Sequence, residues 1–204
     1  MTRRGRFITV EGVDGAGKST HIPYIAERLR GRAPRVLVTR EPGGTALAER
    51  LRQLLLSESM DPVAETLLMF AARADHVSRV IAPALAEGTW VLCDRFTEAT
   101  FAYQGSGKGV PQDLIHRLVE ATHPDLVPDL TLVFDCPYEI ARERLDRAGK
   151  ALDRFEREDR EFFERVRGSY LAQAAAAPAR IRVIDASLVP GEVHKLLDNE
   201  ILTV

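Results

Sequence analysis

The sequence predicts an α/β fold, a three-layer sandwich in which helices cover both faces of a five-stranded parallel sheet. Two observations carry that expectation. Short apolar, β-branched runs recur along the whole chain, at Phe7–Val10, Arg35–Thr39, Thr89–Cys93, Leu130–Asp135 and Arg180–Ile184. Helical patterns fill the gaps between them. Such β-α alternation calls for parallel strands joined by helical crossovers.

Each helix has a local reason. His21–Arg30 puts Ile22, Ile25, Ala26 and Leu29 on one face. Thr45–Leu56 repeats Leu47, Leu51, Leu54 and Leu55 at helical spacing, and Ala64–Glu87 is long and apolar on one side. Pro111–Ala121 opens on a proline, which suits a first helical turn. Pro137–Arg147, Arg154–Ala177 and Pro190–Leu202 complete the set. Pro23 breaks the pattern inside the first helix, where it deletes a backbone hydrogen bond.

The chain has 204 residues, of which 45% are hydrophobic, enough for one domain over residues 1–204 with a real core. A net charge of −2 argues against nucleic acid or a membrane surface as partner. No apolar run approaches the ~20 residues that span a bilayer. The basic start Met1–Arg6 is followed by no signal-peptide hydrophobic region, so a cytoplasmic protein is expected. Cys93 and Cys136 each follow an apolar run and read as buried free thiols. The five histidines show no metal-ligand spacing.

Residues Gly12-Val13-Asp14-Gly15-Ala16-Gly17-Lys18-Ser19 spell G-x-x-x-x-G-K-S, between an apolar run and a helical pattern. This is the phosphate-cradling loop of the P-loop NTPase fold. Its backbone N–H groups wrap phosphate, Lys18 faces the β/γ-phosphates, and the Ser19 hydroxyl is placed for Mg²⁺. The helix dipole points at the same place. The only asparagine, Asn199, precedes Glu200, so the N-K-x-D guanine-reading motif is absent, which argues against a standard GTPase. Trp90–Arg95 offers an apolar strand ending in Asp94, the position of a Mg²⁺-side carboxylate, with Asp135 as the rival acid. Asp94 is preferred because Arg95 follows it, and a cation there can bridge donor and acceptor phosphates. Small size and helical insertions favour a small-molecule kinase over a mechanical ATPase. A kinase for another mononucleotide or a deoxynucleoside, and a non-catalytic ATP-sensing regulator, are the competing readings.

Further segments narrow the choice. T-R-E-P-G-G-T stands at Thr39–Thr45, L-L-M-F-A-A-R at Leu67–Arg73, D-R-F at Asp94–Phe96, T-F-A-Y-Q-G at Thr100–Gly105 and L-D-R-F-E at Leu152–Glu156. With the phosphate loop, these make the chain resemble the thymidylate kinases over nearly its whole length. The resemblance implies transfer of the ATP γ-phosphoryl group to dTMP in dTTP synthesis, with Mg²⁺, in a homodimer. A monophosphate has its second pKa near ~6, so the acceptor is already a dianion and needs no general base. Charge neutralisation and positioning are what the chemistry requires.

Roles follow by resemblance. Asp14 would hold the deoxyribose 3′-hydroxyl, and Arg40 and Arg95 the acceptor phosphate. Glu41–Gly44 would form the turn that presents Arg40. Arg73 would reach thymine O4, Thr100 the pyrimidine, and Tyr103 and Gln104 the sugar side. Gly12 to Thr20 would hold ATP, with Arg144 stacked on adenine and Ser19 and Asp94 at Mg²⁺. The family stacks an aromatic ring on thymine four residues before the arginine. Here that position is Met69, with Phe70 only three before, and both remain candidates. Some members carry an arginine in the loop where Gly15 stands, and members with glycine place catalytic cations in a mobile lid. The polar stretch Asp146–Leu152, with Gly149 as hinge, suggests a small helical lid over about residues 145–154. Arg147 is then the expected catalytic cation, with Lys150 as a second candidate. Asp153 and Glu156 match the family's lid-end acids.

Overall fold

The computed structural model describes residues 4–149 and 153–203. Its strands are β1 (Phe7–Gly12), β2 (Val36–Arg40), β3 (Trp90–Asp94), β4 (Leu130–Asp135) and β5 (Ile181–Asp185). They pair in the order β2-β3-β1-β4-β5, all parallel, with Ile8 opposite Leu92 and Leu130. All of β1 is buried, as is β4 apart from Asp135, which is why both read as unbroken apolar runs.

The helices are α1 (Lys18–Arg30), α2 (Ala46–Ser57), α3 (Pro62–His76), α4 (Ala82–Ala86), α5 (Thr97–Thr100), α6 (Gln112–Thr122), α7 (Tyr138–Arg147), α8 (Arg160–Ala176) and α9 (Pro190–Ile201). On one sheet face Ile8, Val10 and Leu92 pack with Ile25 and Leu29 of α1 and Leu197 of α9. On the other, Phe7, Val91 and Cys93 meet Ile81 and Leu85. Both cysteines are buried and free, and burial pushes the thiol pKa of each upward.

The boundaries differ from the sequence reading where capping decides them. α1 starts at Lys18 rather than His21, because the loop flows directly into the helix from Gly17. Pro23 thus falls in the second turn of α1, where it removes the N–H that would meet the Ser19 carbonyl. Asp61 caps α3 by accepting from Val63 N at 2.8 Å and Ala64 N at 3.3 Å, with Pro62 at the first position. The expected 64–87 helix becomes α3, a π-helical stretch Val77–Ile81, and α4. α8 begins at Arg160 and not Arg154, because Asp159 caps it through Phe162 N at 2.8 Å. Residues 97–107, given no element from sequence, form α5 and a π-helical turn Phe101–Gly107. The predicted lid overlaps the end of α7 and the turn after it. Its residues 150–152, including Lys150, lie outside the described residues.

Leu132 sits fully buried in central β4. Leu132→Ala is expected to lower unfolding free energy by about 2–5 kcal/mol, measured by urea titration. A change well under that range would mean the sheet centre is loosely packed.

Candidate active site

The loops after β1, β2 and β3 meet at the carboxyl edge of the sheet, where open α/β sheets take ligands. Gly12, Gly15 and Gly17 hold φ of 127°, 80° and 90°. A Cβ at Gly15 would lie 2.3 Å from the Ala141 carbonyl oxygen of α7, so no side chain fits there. Lys18 is buried and donates from Nζ to Gly12 O at 2.9 Å and Val13 O at 3.0 Å. Burial and the nearby Arg95 lower its pKa, and Asp14, Asp94 and Glu11 oppose that. Ser19 and Thr20 are exposed at the start of α1. A cavity over the loop is lined by Gly15, Gly17, Lys18, Ser19, Thr20 and Arg144, among others. Arg144 Nη1 lies 3.4 Å from Ala16 O.

Asp94 ends β3, and its Oδ1 is buried with no hydrogen-bond partner among the described residues. It shares a second cavity with Ser19. An unmatched carboxylate oxygen beside a hydroxyl suits a hard, oxygen-seeking cation such as Mg²⁺. The rival Asp135 is engaged by Arg167, at 2.6 Å from Nε and 2.9 Å from Nη2. Among the described residues no group of three or more His, Cys, Asp or Glu forms a metal site on its own.

Arg95 follows with φ 69°, the left-handed region that non-glycine residues rarely adopt. The turn aims its guanidinium back at the phosphate loop. Nη1 donates to Gly12 O at 2.9 Å and Tyr170 OH at 3.2 Å, and Nη2 to Asp14 Oδ1 at 2.5 Å and Tyr103 OH at 3.0 Å. Tyr103 OH also donates to Asp14 Oδ2 at 2.8 Å. Burial opposes the charge on Asp14, but Arg95 and Lys18 outweigh it and hold the carboxyl below its usual range. Burial and Asp14 raise the Tyr103 phenol well above its ordinary value.

A third cavity opens beside Asp14 and Arg95 and reaches Met69, Arg73, Thr100, Tyr103 and Gln104. Arg73 is buried. Its Nε donates to Glu41 Oε2 at 2.6 Å, and its Nη2 to Phe96 O at 3.0 Å and Thr100 Oγ1 at 3.1 Å. Its Nη1 is buried without a partner among the described residues. Gln104 Nε2 donates to the buried Glu65 at 2.7 Å.

Three of the expected site residues sit outside the Arg73–Arg95 cavity. Phe70 does not line this cavity. It is buried in a cluster with Val110 and Ile115, with the Arg73 guanidinium 4.9 Å over its ring, while Met69 reaches the cavity wall. Arg40 lies outside it too, on the Ser19–Asp94 cavity, held by Glu49 at 2.9 and 3.0 Å. Arg147 is exposed at the end of α7 and pairs with Glu143 at 2.6 Å, away from all three cavities. The sequence reading also passed over residues that do line the Arg73–Arg95 cavity, among them Arg52, Phe96 and Phe155. Arg52 looks like an ordinary surface arginine of α2, and only packing turns it inward, with Nη1 on Pro42 O at 3.0 Å.

Comparison with known proteins follows the same lines. The sequence profile described as thymidylate kinase matches residues 10–197. A thymidylate kinase of Bordetella pertussis is 55% identical over 201 residues, covering 98% of this chain and 96% of its own. One of Methylobacillus flagellatus is 57% identical over 192 residues, 94% of each chain. The chain belongs to the thymidylate kinase family. The fold agrees, since the crystal structure of thymidylate kinase from Ehrlichia chaffeensis superposes with a TM-score of 0.78 at 34% identity. That match covers 96% of this chain and 98% of that one. Family membership makes the P-loop NTPase sandwich and the parallel sheet one assignment.

Behind the site, Glu11 is fully buried and accepts from Phe96 N at 2.7 Å and Tyr170 OH at 2.9 Å. Burial first, and Glu98 second, push its pKa from 4.5 up to about 7. The folded chain therefore holds this proton more tightly than the unfolded chain. That contribution is complete below pH 4.5 and is lost as pH rises towards about 7. Glu11→Gln should flatten the decline, gaining on wild type by on the order of 3 kcal/mol across that window. Urea unfolding at several pH values checks it, and parallel stability curves would refute it.

Proposed function

We propose a division of labour among these residues for γ-phosphoryl transfer from ATP to dTMP. The reaction is ATP + dTMP → ADP + dTDP, a step in dTTP synthesis, and the chain is a kinase of this type. The observation that carries the site reading is a phosphate loop that shares Asp14 with the Arg73–Arg95 cavity, on whose wall buried Arg73 keeps one donor nitrogen without a partner among the described residues.

In this reading ATP lies over residues 12–20, with Arg144 against the adenine. Ser19 and Asp94 hold Mg²⁺, which neutralises phosphate charge when bound. The acceptor occupies the Arg73–Arg95 cavity. Arg95 and Arg52 take its phosphate, in place of the pairing of Arg95 with Arg40 expected from sequence. Arg73 Nη1 and Thr100 face the pyrimidine edge, Met69 takes the aromatic platform's position, and Asp14, Tyr103 and Gln104 bound the sugar. A dianionic acceptor needs no base, so these side chains act by placing two anions and screening their repulsion. Tyr103, anchored to Asp14 and Arg95, is positioned to exclude a ribose 2′-hydroxyl.

Because Gly15 leaves no room for a loop side chain, a further cation must come from elsewhere. Arg147 stands on a solvent-exposed i,i+4 pair, a contact of small energy. Lid movement about Gly149 can recruit it. Arg147→Ala is expected to lower kcat by about 10²-fold with little change in the KM for dTMP. Unchanged turnover would remove it from the mechanism.

Exposed Leu47 and Leu54 on α2, with exposed Val63 and Leu67 on the packed neighbour α3, support a homodimer. Among the described residues no helix is long and apolar enough to cross a membrane. Together with the substrates' solubility, this supports the cytoplasmic assignment.

The test is ADP release from Mg²⁺–ATP with dTMP, dUMP, dCMP, dGMP, UMP and AMP in parallel, using wild type and Arg73→Ala. Preference for dTMP, weakened in the variant, is expected. Equal use of another monophosphate would overturn the base-side assignment. ATP binding with no acceptor turned over would favour the regulator reading.

A further inference from the structure

Beyond the residues that line the cavity, one buried chain of polar groups ends on its base-facing arginine. His76 is fully buried at the end of α3. Its Nε2 lies 2.8 Å from Thr39 Oγ1, and its Nδ1 lies 3.0 Å from Glu41 Oε1. The other oxygen of Glu41, Oε2, accepts from Arg73 Nε. A carboxylate only accepts, so Nδ1 must carry the hydrogen that Glu41 receives. Arg73 and the His76 hydrogen bonds hold Glu41 ionised against its burial, with its pKa below the usual range.

The glycine pair in E-P-G-G-T seals this contact. A Cβ added at Gly44 would lie 2.3 Å from His76 Nε2, and Gly44 has φ 85°. The turn after β2 therefore closes directly over the imidazole. This gives the motif a use separate from presenting Arg40, whose side chain lies outside the acceptor cavity.

We infer that His76 is a positioning residue for acceptor recognition, acting through Glu41 on Arg73. With Oε1 committed to His76, Glu41 meets the guanidinium through Oε2 alone. Phe96 O and Thr100 Oγ1 take Nη2, and the guanidinium plane is fixed. Nη1 is left without a partner among the described residues, and in this reading it is the donor the base takes up. Without the His76 hydrogen, Oε1 becomes a buried acceptor with no donor. It then competes for the guanidinium hydrogens and turns Nη1 away from the acceptor. This inference rests on the assignment of Arg73 to the base edge, and the experiment separates the two.

The experiment compares steady-state kinetics of His76→Gln, His76→Asn, Glu41→Gln and Arg73→Ala, and of His76→Gln combined with Arg73→Ala. An asparagine amide nitrogen stands where Nδ1 stands, whereas a glutamine amide reaches the Nε2 position and abandons Glu41. His76→Gln should raise the KM for dTMP about tenfold, the scale of one hydrogen bond to a charged group. It should leave kcat and the KM for ATP unchanged, which general loosening of the fold would not. His76→Asn should recover most of the affinity, and His76→Gln should add nothing once Arg73 is alanine. If His76→Gln fails to fold, Glu41→Gln carries the same expectation for KM. A raised KM in Arg73→Ala with unchanged KM in folded His76→Gln and Glu41→Gln would overturn the role of His76. So would His76→Gln and Arg73→Ala effects that simply add. An unchanged KM in Arg73→Ala would instead overturn the base-edge assignment itself.

Discussion

The contact on which the site depends is the Arg95 guanidinium. It ties together the phosphate loop through Gly12 O and Asp14, the π-helical turn through Tyr103, and α8 through Tyr170. Three separate stretches of chain are thereby held by one side chain. The backbone at Arg95 adopts a conformation that non-glycine residues seldom tolerate, which the surrounding bonds must hold in place.

The same arrangement repeats around the cavity. A site that must gather two phosphate-bearing molecules needs cations, yet a buried cation without a partner is costly. Asp14 stands behind Arg95, Glu41 behind Arg73, and Glu65 behind Lys108 and Arg154. Each acid stabilises its cation and fixes its direction, while donors such as Arg73 Nη1 stay uncommitted. Paired charges explain how a protein of net charge −2 can hold an anion-binding interior. They also account for an aspartate inside the phosphate loop. Asp14 faces Arg95 and Tyr103.

Helix geometry supplies the cavity's other wall. Thr100, Tyr103 and Gln104 share one face of α5 and the following π-helical turn, at i, i+3 and i+4 spacing. Behind them the chain passes very close to α8, where a Cβ on Gly107 would lie 2.6 Å from Phe162. The wide turn is a common device near functional sites. Here it lets a glycine-rich segment remain helical while its polar face looks into the cavity.

The fold, and the loop and strand end on which the functional reading rests, were legible in the chain alone. Alternating apolar runs and helical periodicity determine a parallel sheet, and the glycine spacing before Lys18 and Ser19 determines the loop that turns from β1 into α1, because both are set by local geometry. Asp94 was readable at the end of its strand for the same reason. What the sequence could not decide is which of two adjacent or similar side chains turns inward. Met69 and Phe70 differ by one position on a helix, and α3 packing sends Phe70 into the core. Glu49 holds Arg40 on the Ser19–Asp94 cavity, while the packing of α2 delivers Arg52 to the Arg73–Arg95 cavity. The His76–Glu41–Arg73 chain joins residues that local patterning does not connect. Direction of side chains across elements is set by tertiary packing and long-range charge pairing, and neither is written in local periodicity.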